Sequence, residues 1–223
     1  MIAHMTPATR HSDLLAERLR TVRLLAVATP LDVARTVSLA DALHEGGIGG
    51  MEITFRAGGA EEAIRAVKDA VPEMFVAAGT LLTPEQVEQA HRSGADAGVA
   101  PGCNLDVVSA AAALDFPFAP GVATPTDIEQ ALSLGCRCLK FFPAAPIGGL
   151  AYLAAIAAPY QHLGLTYFPL GGIDEGRAEE YLALPYVAAV GGSFLAPDAF
   201  VRKESWDEIT GISRQAIARL HLA

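Results

Sequence analysis

Leu139-Lys140-Phe141-Phe142-Pro143-Ala144 is a short apolar, aromatic run closed by proline, which reads as a strand buried in a parallel sheet. A lysine lies inside it. Alternate side chains of a strand share a face, so Lys140 and Phe142 point one way and Leu139 and Phe141 the other. A buried ammonium costs on the order of several kcal/mol unless it is paired or gives up its proton. An unprotonated lysine is a nucleophile toward carbonyl carbon.

Working outward from that run, similar short apolar segments recur on both sides, each followed by a helical pattern. Toward the N-terminus the strands are Val22–Ala28, Met51–Arg56, Phe75–Ala78, Ala97–Ala100 and Phe118–Ala119. Toward the C-terminus they are Thr166–Leu170 and Val187–Val190. Helices are expected over Ser12–Arg20, Asp32–Glu45, Ala60–Val71, Leu105–Leu114, Leu150–Ala158 and from Glu175 onward. A closing helix over Trp206–His221 places Ile209, Ile212, Ala216 and Leu220 on one stripe. Thr83-Pro84-Glu85-Gln86 and Thr124-Pro125-Thr126-Asp127 are helix starts, each a threonine cap with proline in the first turn. Strand ends recur roughly every 19–28 residues, eight times, which predicts a single-domain (β/α)8 TIM barrel with an extra N-terminal helix. A doubly wound sheet is the competing arrangement, but no Gly-x-Gly-x-x-Gly follows the first strand. No linker divides residues 1–223; residues 1–11 read as a tail, with Met5 as an alternative start.

The chain's net charge of −9, with no basic run, disfavours nucleic acid as a partner. Its most apolar stretch, Leu150–Tyr160, is too short to cross a membrane, and no signal-peptide core opens the sequence. Cys103, Cys136 and Cys138 cannot build a disulfide framework, which fits a reducing compartment, and Cys136-x-Cys138 lacks a second pair of metal ligands. A cytoplasmic location is expected.

Barrel enzymes gather their reactive groups where strands end. Glu52, Thr54 and Arg56 alternate onto one face of the second strand, and the third strand ends at Thr80. The fourth ends at Ala100-Pro101-Gly102, the seventh at Gly171-Gly172 and the eighth at Gly191-Gly192-Ser193. Glycines after strands seven and eight let backbone N–H groups approach an anion, so these loops suit a phosphate, with Ser193 adding a hydroxyl. They would serve equally as plain tight turns. Glu52 and Lys140 have a structural reading as well, a buried ion pair holding the barrel interior. With Arg56 they form a working set: an amine, a carboxylate that can shuttle protons, and a guanidinium suited to a substrate carboxylate. A 2-oxo acid offers the ketone and carboxylate that this set would handle. The six histidines fall on helices or tails, away from strand ends, which disfavours a metal-dependent or Ser-His mechanism.

At these residues the sequence closely resembles the bacterial 2-keto-3-deoxy-6-phosphogluconate (KDPG) aldolases, a family that includes the 4-hydroxy-2-oxoglutarate (KHG) aldolases. The segments that carry the likeness are Gly50–Arg56, Ala78-Gly79-Thr80, Ala100-Pro101-Gly102, Leu139–Ala144, Gly171-Gly172-Ile173 and Gly191–Leu195. The likeness spans about Leu14 to Leu220. It implies a class I aldolase on a TIM barrel, a homotrimer needing no metal or organic cofactor. By position, Lys140 resembles the Schiff-base lysine and Glu52 the general acid/base. Arg56 and Thr80 would hold the pyruvyl carboxylate, with Pro101 and Phe142 as pocket walls. Gly171, Gly172, Gly191, Gly192 and Ser193 would cradle the distal phosphate. The implied reaction is reversible cleavage of KDPG to pyruvate and glyceraldehyde 3-phosphate. Leu170 stands where gluconate-type members carry threonine and galactonate-type members an apolar residue, so the galactonate and hydroxyglutarate substrates are alternatives. Ala57 and Leu25-Ala26 also depart from the usual pattern. Two further classes are a barrel isomerase using Glu52 as base and a non-catalytic sugar-phosphate binder.

Overall fold

The structure, a computed structural model, describes residues 7–29 and 31–222. Among the described residues nine strand segments occur, all but β5 and β6 separated by helices: β1 Leu24–Ala28, β2 Gly50–Thr54, β3 Phe75–Gly79, β4 Ala97–Val99, β5 Phe118–Ala119, β6 Gly121–Val122, β7 Cys138–Phe141, β8 Thr166–Pro169 and β9 Val190–Gly192. The helices are α1 Pro7–Val22, α2 Val33–Glu45, α3 Ala60–Ala70, α4 Pro84–Arg92, α5 Leu105–Ala113, α6 Pro125–Ser133, α7 Gly149–Ala157, α8 Glu175–Leu182, α9 Asp198–Val201 and α10 Trp206–Arg219.

The strands pair in parallel, in the order β5-β4-β3-β2-β1-β9 and then β6-β7-β8. The two arcs close into one barrel. On one side the chain itself joins β5 to β6, and on the other parallel bridges Tyr167–Val187 and Leu170–Gly191 join β8 to the last strand. The (β/α)8 expectation is met, with the fifth strand in two pieces. Pro120 separates them because it has no N–H for the ladder, while its carbonyl still accepts from Lys140 N at 2.9 Å.

The inward and outward rows form two separate cores. Leu25, Phe75, Ala77, Ala97, Val99, Ala119, Cys138, Phe168 and Leu170 pack inside the barrel, and Leu139, Phe141 and Tyr167 pack outside against the helices. The alternation predicted for the Lys140 strand therefore holds. Leu15, Ala16 and Leu19 of α1 join the inner cluster, so α1 covers the N-terminal end of the barrel.

Several boundaries differ from expectation for identifiable reasons. The first helix begins at Pro7, not Ser12, so the described part of the expected tail is helical; Met5 lies outside the described residues. Strand two ends at Thr54, although Phe55 N still reaches Gly79 O at 2.7 Å, so Arg56 lies in the turn beyond it. The eighth strand runs Val190–Gly192 instead of Val187–Val190. The Arg23 guanidinium takes the carbonyls of Ala188 at 3.0 Å and Val187 at 3.4 Å, so the strand begins three residues later, at Val190. On α10 the buried stripe includes Ser213, packed where a side chain at Gly46 would sit, while Ile212 is only half-buried. Both threonine caps form: Thr83 accepts from Gln86 N, and Thr124 makes a full capping box with Asp127.

Candidate active site

The inner face of β2 presents Glu52 and Thr54, and that of β7 presents Lys140, across the barrel interior. Lys140 Nζ lies 3.0 Å from Glu52 Oε1 and 2.9 Å from Oε2. Lys140 is 4% exposed and Glu52 2%. Two opposite charges, 88 residues apart in sequence, thus meet in a space closed to bulk water. Phe142, next on the same face, has its ring centroid 5.4 Å from Nζ, within cation–π range.

The small inward residues make room for this pair. Gly121 pairs with Lys140 in register, and a Cβ there would overlap the Pro101 carbonyl, so the Pro101-Gly102 turn lies over the neighbouring strand. A Cβ at Gly191 would come within 2.6 Å of the Leu170 side chain, so Leu170 fills the space that glycine leaves. Gly171 (φ +100°) and Gly172 (φ +72°) form a left-handed pair that only glycine adopts freely. A side chain on Gly171 would press against the Phe142 ring. Glycines 171 and 172 therefore form a loop as expected, whereas Gly191 and Gly192 belong to β9 and Ser193 opens the short turn after it. Thr80 has φ +60°, unusual for a β-branched residue, and follows directly on β3.

Arg56 is exposed at the rim. It reaches Thr54 Oγ1 and Thr29 Oγ1, each at 3.4 Å, and makes no bond with the Lys140–Glu52 pair. Thr54 is buried on the Glu52 face; alternation showed that face, but nothing in the sequence showed Thr29 reaching the same guanidinium. A separate cavity of about 430 Å³ opens at the other end of β8, lined by Arg20, Thr166, Tyr167 and Tyr186 among others. It includes none of the strand-end residues described above. Among the described residues no group of three His, Cys, Asp or Glu side chains could hold a metal ion, and no helix is long and apolar enough to cross a membrane.

A buried lysine bridged by a carboxylate at the C-terminal mouth of a barrel can form an imine and move protons next to it. Comparison with known families agrees. The pattern of the KDPG and KHG aldolase family fits residues 15–212. The chain belongs to that family. It is therefore an aldolase, a lyase. The 2-dehydro-3-deoxy-phosphogluconate aldolase of Haemophilus influenzae is 39% identical over 203 residues, covering 91% of this chain and 95% of the relative. The enzyme of the same name from Treponema pallidum is 40% identical over 201 residues, covering 90% and 95%. A crystal structure of KDPG aldolase from Legionella pneumophila, with pyruvate captured as a covalent carbinolamine intermediate, superposes with a TM-score of 0.85. It is 31% identical and covers 90% of this chain and 97% of that one.

Proposed function

We propose that this family member cleaves KDPG reversibly into pyruvate and glyceraldehyde 3-phosphate, with Lys140 as the Schiff-base lysine and Glu52 as the shuttling acid/base. The observation that carries the assignment of roles is the contact of both Glu52 oxygens with Lys140 Nζ. Lys140 passes a proton to Glu52, and the free amine adds to the C2 ketone. Glu52 returns a proton to the departing hydroxyl, water leaves, and a protonated iminium remains. That cation accepts the electron pair of the C3–C4 bond as Glu52 takes the C4 hydroxyl proton. The aldehyde is released and an enamine is left. Glu52 protonates the enamine at C3, and hydrolysis frees pyruvate and Lys140.

In this reading Arg56 and Thr80 hold the carboxylate, and Pro101 and Phe142 wall the pocket. Gly171, Gly172, Gly191, Gly192 and Ser193 hold the phosphate. The test is borohydride reduction in the presence of pyruvate, followed by peptide mass mapping. A pyruvyl adduct on Lys140 is expected; its absence at saturating pyruvate would overturn the assignment. An isomerase using Glu52 alone would instead keep activity in Lys140→Arg.

A second reading concerns the sugar. Leu170 is buried and its side chain packs on Gly191, so it offers no hydrogen bond to a C4 hydroxyl. That favours weighing the galactonate epimer and 4-hydroxy-2-oxoglutarate beside KDPG, although both relatives above carry the gluconate name. Cleavage rates for the three substrates, measured side by side, decide it. Our reading extends to a cytoplasmic homotrimer that uses no metal or organic cofactor. Sedimentation at three times the 23.3 kDa chain mass is expected; a monomer would contradict the assembly without touching the chemistry.

A further inference from the structure

Gly79 is the last residue of β3, paired with Thr54 of β2, and its inward side looks onto Glu52. A Cβ at this position would lie 2.6 Å from both Cγ and Cδ of Glu52, and closer still to Oε1. The three nearest atoms all belong to that one side chain. The backbone makes no demand for glycine here, since Gly79 is a regular strand residue outside the positive-φ set. The row leading to it on the same inward face is Phe75, then Ala77. Side-chain bulk along β3 therefore falls from phenyl to methyl to hydrogen as the strand approaches the carboxylate. Glu52 cannot yield without disturbing that contact: it is 2% exposed and both its oxygens are bound to Lys140.

We propose that Gly79 is a positioning residue for the aldol chemistry, its missing Cβ being what allows Glu52 to lie with both oxygens against Lys140 Nζ. The kinetic consequence rests on the reading of Lys140 and Glu52 given above. The steric claim stands without it. A methyl at Gly79 must displace the carboxylate, and a displacement of about 1 Å near the reacting atoms reduces a rate on the order of 100-fold. Imine formation also uses Glu52, but its adduct is read at the end-point, so a slower approach leaves the yield standing while the rate of proton transfer at C3 falls.

Two measurements test this. The first compares thermal midpoints of Gly79→Ala in the natural background and in Lys140→Met/Glu52→Ala, where the displaced atoms and the partner charge are both gone. Gly79→Ala should lower the midpoint by several degrees in the first and by little in the second. Equal losses in the two backgrounds overturn the steric claim. If Gly79→Ala alone fails to fold, a folded triple variant supports the claim and an unfolded one overturns it.

The second follows deuterium exchange into the pyruvate methyl in D2O by NMR, beside the yield of borohydride-trapped adduct. Exchange should fall at least about tenfold in Gly79→Ala, with the adduct still reaching the natural end-point. Exchange within twofold of the natural protein, or adduct and exchange lost in equal proportion, overturns the positioning role. Absence of adduct and exchange in the natural protein would defeat the aldolase assignment instead, and the stability comparison would still decide the steric claim.

Discussion

Removing one member of the Lys140–Glu52 pair strands the other charge in the barrel interior. Such a loss costs about 3–5 kcal/mol, whereas replacing both members by apolar groups is often close to neutral. Glu52→Leu and Lys140→Met should each therefore lower the denaturation free energy by about that amount, and Lys140→Met/Glu52→Leu should recover most of it. Urea unfolding of the three variants measures this, and single variants as stable as the natural protein would show that the pair is solvated. The cysteines give a second prediction at this scale. Burial pushes the thiols of Cys136 and Cys138 from the ordinary 9.0 up to about 12. Below pH 9 folded and unfolded chains both keep the protons, so the contribution is complete. As pH rises from 9 toward 12 the unfolded chain loses them first and stability falls. By pH 10 the loss is on the order of 1 kcal/mol for each thiol. Cys138→Ser should reduce the drop between pH 8 and pH 10; an unchanged drop would remove Cys138 from the account. Of the residue-scale features, the misplaced lysine was plain in the sequence. The need for hydrogen at Gly79 was not, because it depends on where Glu52 ends, 27 positions earlier in the chain.

Among the elements, α1 matters beyond its length because it shares the inner core. Leu19 is 1% exposed and packs with the inward residues of the barrel. Leu19→Ala should cost about 2–5 kcal/mol in urea unfolding; a loss under about 1 kcal/mol would mean that α1 lies on the barrel without being part of its core. Element types were legible where local chemistry decides them. Thr83 and Thr124 cap as read, and glycines end the turns that follow. Boundaries were less legible where a distant group decides them. Arg23, adjacent to β1, takes the carbonyls that Val187 and Ala188 would have given to a sheet. Pro120 interrupts a strand that the apolar run Phe118–Ala119 had only hinted at. Ser213 displaces Ile212 from the buried stripe of α10 because Gly46 leaves a gap there.

At the scale of the whole molecule, the rhythm of strand and helix was enough to define the barrel, since each unit is built from local periodicity. The candidate site was legible as a set of strand ends, because a barrel brings those ends to one mouth. Contacts between members of the set were not legible: Arg56 bonds to Thr29 and Thr54, and Leu170 fits against Gly191. With α1 seated at the N-terminal end, the strand-end mouth is the way in that the described residues offer a substrate. In the proposed mechanism pyruvate is held on Lys140 as the imine, so it leaves after the aldehyde and enters before it. Steady-state kinetics should therefore be ordered. Added pyruvate should compete with the sugar acid, and added aldehyde should inhibit in a mixed pattern. Competitive inhibition by both products would mean that the aldehyde also binds the free enzyme, against this order.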